Sequence, residues 1–330
     1  MKKYILGFLI VVILLGIIIN YRTPFYPERG GAWSIGFGSF KGALTGENVL
    51  KNITIYSKER LQELDGSTRF LADPFFVKEK DTFYVFFEHQ KQEKNAVISL
   101  ITSHNGQDFT YKGQVLKEKF HLSYPYVFKY RGEYFMLPET KKANNILLYK
   151  SYNFPYDWRI YDTLVKNVRL KDPSIFLSDT LNIMVTSDDD MNLYMYKADS
   201  LFSTWRLHEK SIVSRGTESR PGGSFFMKNG KLMLPIQNST KGYGYGISLY
   251  QFDFKDDDYT IQKRSNLFLK RQDTIEEFSF GMHHANIQII DGQYYYVVDG
   301  NEKADKKRKI NVSGPLKWNW IDLMNWINTL

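Results

Sequence analysis

Cysteine is absent from all 330 residues. Disulfides, thiol nucleophiles, thiolate-held zinc and a lipid-bearing cysteine are therefore excluded together. Acidic residues are in the minority, with 36 Asp and Glu against 44 Lys and Arg and a formal net charge of +8. Such an excess permits attraction to anionic membranes or polyanions. Much of it, however, falls in short runs such as "KADKKRK" (303–309), which read as a solvated loop, so no nucleic-acid partner is expected. Phosphate-loop and nucleophile-elbow signatures are missing as well, since nothing matches G-x-x-x-x-G-K-[ST] or G-x-S-x-G. "SDDDMN" (187–192) spaces Asp188, Asp190 and Asn192 like a calcium loop, but Leu193 stands where that loop needs glycine. It reads as a turn, and no metal or cofactor is expected.

Long apolar runs are equally scarce, and the one that exists is at the N-terminus. Lys2 and Lys3 precede an uncharged run from Tyr4 to Ile19, roughly 24 Å long as a helix and slightly short of a ~30 Å hydrocarbon core. No A-x-A-like cleavage site follows in "NYRTPFYPERGG", so residues 1–22 read as an uncleaved single-pass anchor that contacts the membrane through residues 4–19. The paired lysines favour a cytoplasmic N-terminus and an extracytoplasmic body, while Arg22 and Arg29 pull the other way.

Prolines number only ten, yet four of them mark a period. "ADPFFVKEKDTFYVFFE" (72–88), "YPYVFKYRGEYFMLPE" (124–139), "DPSIFLSDTLNIMVTS" (172–187), "RPGGSFFMKNGKLMLPIQ" (220–237) and "HANIQIIDGQYYYVVD" (284–299) share one shape, two apolar strands joined by a tight turn. Pro74, Pro125, Pro173 and Pro221 lie 51, 48 and 48 residues apart, and Ala285 takes that place in the fifth unit. A period near 50 with more strand-like sequence after each hairpin predicts an all-β, five-bladed propeller over residues 30–330. "GGAWSIGFGSF" (30–40) is expected to complete the last blade, because closing the ring removes a free sheet edge.

In that fold the first strand of each blade lines the channel and the second returns to the same face. The residues before each proline position, Asp73, Tyr124, Asp172, Arg220 and His284, should then gather at one mouth with Glu88, Glu139, Ser187, Gln237 and Asp299 from the second strands. Nine of these ten are polar or ionisable, which a blade's packing does not require. Taken singly they have ordinary explanations: Asp before Pro caps strand starts, Glu88 and Glu139 suit exposed strand ends, and Arg220 suits neutralisation of the acids. Together they predict a ligand pocket, with Tyr124 and Tyr126 expected to stack on sugar faces.

The same five segments resemble the N-terminal propeller domain of glucosamine inositolphosphorylceramide transferases and their bacterial relatives, over roughly residues 30–300. The resemblance implies a membrane-anchored propeller that in the plant enzymes precedes a separate glycosyltransferase domain. About 30 residues follow Gly300, so no transferase domain is expected here and a glycosyltransferase becomes a candidate partner. A more distant similarity to five-bladed arabinanase- and xylosidase-like glycosidases implies Asp73 as base, Asp172 as its modulator and Glu218 as acid, although Glu218 lies three residues before Pro221 instead of two. Inverting hydrolysis needs two carboxyls ~6.5 to 9.5 Å apart, one of them protonated. The reading is thus a carbohydrate- or glycolipid-binding propeller accessory to envelope glycan metabolism, with a glycoside hydrolase and a protein-interaction scaffold as alternatives.

Overall fold

The computed structural model describes residues 2–27, 30–256, 258–304 and 310–328. Arg29 and residues 305–309 of the basic run lie outside the described residues. Helix α1 (Lys2–Arg22) leads to β1 (Gly30–Phe40), α2 (Gly46–Leu50), β2 (Thr54–Tyr56) and α3 (Lys58–Leu64). Blade one is β3 (Thr68–Glu79), β4 (Thr82–Lys91), β5 (Val97–Ser103) and β6 (Thr110–Leu116). Blade two is β7 (Ser123–Tyr130), β8 (Glu133–Glu139), β9 (Asn145–Asn153) and β10 (Tyr156–Lys166). Blade three is β11 (Lys171–Leu177), β12 (Asn182–Ser187), β13 (Asn192–Lys197) and β14 (Arg206–Arg215). In blade four, β15 (Arg220–Pro221) and β16 (Phe226–Lys228) both pair with β17 (Lys231–Asn238), followed by β18 (Gly246–Lys255) and β19 (Asp258–Lys270). Then come β20 (Ala285–Ile290), β21 (Gln293–Lys303) and helix α4 (Ser313–Asn328).

Blade five has the order β2-β1-β21-β20, so a strand from the N-terminal side closes the blade that the last strands begin. Ile35 pairs with Asp299 and Phe37 with Val297, as expected for the "AWSIGFG" segment. The hairpin turns follow from local chemistry. Arg131-Gly132, Asn229-Gly230 and Asp291-Gly292 all have positive φ at both positions, the two-residue geometry whose twist matches that of the flanking strands.

Each pair of neighbouring blades encloses its own apolar cluster, which is why the ring closes. Phe75 and Phe86 of blade one pack with Tyr149 and Trp158 of blade two; Phe135 and Leu148 of blade two with Met184 and Tyr196 of blade three. Val185 and Met195 meet Leu234 and Phe252, Ile247 and Leu249 meet Ile287 and Tyr296, and Phe37 meets Phe76 and Phe83 to return to blade one. Removing one such buried ring costs about 3 to 5 kcal/mol.

The N-terminal helix runs to Arg22, three residues beyond the apolar run, and at 21 residues is roughly 31 Å long. The added length comes from Lys2, Lys3 and the Asn20–Arg22 end, so the apolar run itself is as long as the sequence indicates; α1 is long and apolar enough to cross a membrane, and none of its residues is buried. The C-terminal segment is helical from Ser313 to Asn328. Its Asp322 pairs with Arg22 at 2.5 Å and accepts from Thr217 N and Oγ1, both at 3.2 Å. Asn325 Nδ2 donates to Arg215 O at 2.6 Å.

Candidate functional site

Asp73, Tyr124 and Asp172 share a backbone feature that spacing alone does not reveal. Their φ angles are 50°, 50° and 48°, in the left-handed region that residues other than glycine seldom occupy. The strand register slips at each: between Ala72 and Phe75, Ser123 and Tyr126, and Lys171 and Ser174. A bulge sets two residues against one and re-aims a side chain. Here it sends all three side chains to residues of other blades. Across the hairpins stand Glu88 (opposite Ala72), Glu139 (opposite Ser123), Ser187 (opposite Lys171) and Gln237 (opposite Arg220).

One half of the mouth centres on Asp172. Arg220 donates to it through both Nε and Nη2, the latter at 3.2 Å, and Gln237 Nε2 donates at 3.1 Å. The guanidinium also lies 3.8 Å from Glu139. Among the described residues, Ser187 Oγ and Gln237 Oε1 are buried without a hydrogen-bond partner.

The other half centres on Asp299. Its Oδ1 accepts from His283 N (3.2 Å), His283 Nδ1 (2.8 Å) and His284 N (2.9 Å), and its Oδ2 accepts from Asp73 N (3.0 Å). His283 Nε2 is 3.4 Å from Asp73 Oδ1. Glu88 faces His121 Nε2 at 3.2 Å. Because Ala96 N donates to His121 Nδ1, the neutral ring carries its proton on Nε2, the nitrogen that faces Glu88.

Burial sets the proton inventory. Glu139 is pushed up to about 8, first by burial and then by the charge of Asp172, with Arg220 partly offsetting both. Burial likewise raises Asp73 well above the ordinary carboxylate value, helped by Asp172, Glu88 and Asp299. For Asp299 burial again opposes ionisation, but His283, His284 and the backbone N–H of Asp73 outweigh it and hold the carboxyl below its usual value. His284 is pushed down to about 4, chiefly by burial, so it is neutral at pH 7. The mouth therefore offers carboxylate acceptors, an acid that can donate and one guanidinium.

Four placements differ from expectation. Tyr124 is fully buried, its hydroxyl bonded to Ser174 Oγ, Gly223 O and Gly223 N at 2.7 to 2.9 Å. Its ring is packed edge-on against Phe75 and His284, so it supports the channel and offers no stacking face. Tyr126 is tied to Ile175 O at 3.1 Å, between blades two and three. His284 itself is fully buried beneath the mouth. Glu218, the expected acid, is not with Asp73 and Asp172. It accepts from Asn238 Nδ2, Ser248 Oγ and Tyr250 Oη and pairs with Lys263, in the body of blade four. The residue three before Pro221 falls outside the bulge pattern, and its side chain turns outward.

The exposed aromatic at the mouth is Tyr243, 5.8 Å from Arg220 Cζ and 5.0 Å from the His283 ring, with Trp33 4.1 Å from His283 on another side. Both are also part of the wall of a cavity of about 640 Å³ that reaches Lys241, Arg271, Trp318 and the Thr23–Pro27 segment. That volume is within the range of small-molecule pockets. Trp33, Tyr243 and His121 lie outside the repeated positions, which is why the repeat alignment misses them. Asp73, His283 and Asp299 could also hold a cation, since one ligating atom from each lies within 4.8 Å of the others. The four N–H bonds to Asp299 describe a hydrogen-bonded hub. The "SDDDMN" segment is a turn: Asp188 Oδ1 accepts from Asp190 N and Asn192 N, while Lys141 and Lys171 pair with Asp189.

The sequence matches the family described as glucosamine inositolphosphorylceramide transferase 1, N-terminal, over residues 52–318. The chain belongs to this family. The glucosamine inositolphosphorylceramide transferase 1 of Arabidopsis thaliana is 27% identical over 249 residues, covering 71% of this chain and 32% of that protein. The protein of the same name from Oryza sativa subsp. japonica is 28% identical, covering 71% and 33%. The chain thus spans about a third of the length of the curated relatives it matches. Among solved structures, an exo-1,5-α-L-arabinanase from a bovine ruminal metagenomic library matches with a TM-score of 0.53 at 15% identity, covering 74% of this chain and 92% of that one. The Bombyx mori β-fructofuranosidase matches with a TM-score of 0.53 at 14% identity, covering 75% and 57%. At such identities the likeness is one of fold. Membership of the family and the shared propeller fold are consistent with a place in glycan or glycolipid metabolism.

Proposed function

We propose that the mouth binds the saccharide head group of a membrane-borne glycolipid, as an accessory to envelope glycan metabolism. One observation carries this reading: the ring of carboxyls, guanidinium and amide lies on the face where the N-terminal helix ends. Thr23 Oγ1 donates to Thr240 O at 2.8 Å, in the loop that leaves Gln237, and α4 holds Thr217, three residues before Arg220. A ligand anchored in the same bilayer as α1 would meet the mouth without leaving the membrane surface. Asp73, Glu88, Glu139, Asp172, Ser187, Arg220, Gln237 and Asp299 would take hydroxyls. A mixture of acceptors and donors suits sugar hydroxyls, which do both. Tyr243 and Trp33 would supply the apolar ring faces.

In this reading α1 is the single-pass anchor, the propeller is extracytoplasmic, and a glycosyltransferase acts on what the mouth presents. The relatives are named as transferases and extend well beyond the matched region, which supports a transferase as partner. The hydrolase reading is less favoured with Glu218 as its acid, because that carboxylate is engaged by four partners in blade four. The test is binding of a glycolipid and oligosaccharide panel to the full chain in lipid nanodiscs. Saturable binding that weakens in Tyr243→Ala supports the reading. A folded protein that binds no glycan would leave the scaffold alternative, and release of free sugar by wild type would restore a catalytic one.

A further inference from the structure

We propose that α4 is an in-plane membrane helix, lying in the headgroup region of an anionic bilayer beside the end of α1. Its two faces differ. Pro315 is buried, Trp318, Asp322 and Asn325 are half-buried, and the last two carry the bonds to Arg22, Thr217 and Arg215 O. The opposite face presents Leu316, Trp320, Leu323 and Ile327, exposed by 44 to 62% at positions i, i+4, i+7 and i+11. Met324 broadens that stripe. Large side chains at this spacing form one continuous apolar surface on a helix.

Continuity with α1 identifies the occupant. Arg22 ends the one described helix long and apolar enough to cross a membrane, and it is paired with Asp322 in the middle of α4. If α1 spans, Arg22 lies at the lipid–water boundary and α4 is held at that level. The neighbouring aromatics agree, since Tyr21 is 80% and Tyr26 48% exposed, as at the headgroup belts of membrane proteins. Charge agrees too. The "KADKKRK" run of 303–309 ends three residues short of α4 in the sequence, and a basic segment joined to an amphipathic helix with Trp and Leu on its apolar face is the composition that binds anionic bilayer surfaces. This inference concerns the membrane contact and does not require that the mouth bind sugar.

The absence of cysteine permits a clean test. Single cysteines would be introduced as Trp320→Cys, Leu323→Cys and Ile327→Cys, with Lys112→Cys on the exposed edge of blade one as reference, in the full chain. Each would carry an environment-sensitive fluorophore and be reconstituted into phosphatidylcholine vesicles with about a quarter phosphatidylglycerol. The expected result is that the three α4 labels are quenched by brominated acyl chains and protected from iodide at least about threefold relative to position 112. Iodide access equal to that at position 112 overturns the proposal. Protection from iodide without quenching by brominated lipid overturns it as well, because a second protein copy then covers the face.

Discussion

Arg220 holds Asp172 through two nitrogens across the junction of blades three and four, and the pair is unequally buried: the carboxylate has no exposed surface while 28% of the arginine side chain remains open at the mouth. The open part can meet a ligand, and the closed part keeps a buried charge compensated. Arg220→Ala strands that charge, and breaking one partner of a buried pair costs about 3 to 5 kcal/mol. Denaturant titration should show a loss near the lower end, because water can reach the vacated arginine site. Arg220→Ala combined with Asp172→Asn should recover most of it. A single variant as stable as wild type would mean that Asp172 is solvated in the folded protein.

The mouth should also make the protein less stable as pH rises toward 8. Glu139 binds its proton up to about 8 in the folded chain against an ordinary value of 4.5. Between those values the folded state holds a proton that the unfolded state has released, so stability falls with increasing pH across that window. Asp73 shifts in the same direction and adds to the slope. Thermal midpoints measured from pH 6.5 to 8, above the range in which buried His89 and His284, both pushed down to about 4, make stability rise with pH, should decline for wild type and decline less for Glu139→Gln, which keeps the shape of the protonated acid. Parallel profiles would show that Glu139 titrates normally.

Much of this architecture was legible because each blade repeats the same local problem: Pro74, Pro125, Pro173 and Pro221 mark where an inner strand starts, and the apolar alternation around them marks which side chains enter the clusters between blades. Counting from those prolines also picked out Glu88, Glu139, Ser187 and Gln237, which stand opposite Ala72, Ser123, Lys171 and Arg220 across the hairpins. What counting could not supply was the direction of each side chain. Tyr124 and Asp172 occupy equivalent bulges with nearly the same φ, yet a tyrosine is long enough to cross the channel and bond Gly223, whereas an aspartate stops at Arg220. Trp33, His121 and Tyr243 come from connections or from the closing strand, where no repeat constrains them. What covers the open apolar face of α4 is not legible in the sequence, since a helix stripe looks the same whether protein or lipid covers it.

Glu218 offers a separation of stability from binding. Its carboxylate bonds Ser248, Asn238 and Tyr250 and pairs with Lys263 in blade four. Glu218→Gln keeps the acceptor but removes the charge opposite Lys263, a partly exposed pair worth about 1 kcal/mol. The variant should melt slightly lower and bind any mouth ligand as wild type does. A large loss of ligand affinity with an unchanged melting curve would put Glu218 back among the mouth residues.

Tyr124 and Tyr243 give the complementary contrast, because one tyrosine is sealed and the other open. Tyr124→Phe removes a hydroxyl that accepts from Gly223 N and donates within the channel, leaving buried polar groups unpaired at about 1 to 3 kcal/mol. Its ring has no exposed surface, so ligand affinity should change little. Tyr243 is 52% exposed and lies over Arg220 at 5.8 Å. Tyr243→Ala therefore removes little packing, and its melting temperature should stay close to that of wild type. If the ring forms a stacking face, affinity for the ligand should fall by roughly threefold to tenfold, since an aromatic contact contributes about 0.5 to 1.5 kcal/mol. Calorimetry and melting curves on both variants read the two effects independently. The opposite pattern, with Tyr124→Phe losing affinity and Tyr243→Ala losing only stability, would mean that the ligand enters the channel to the depth of Ser174 and that the mouth is its vestibule.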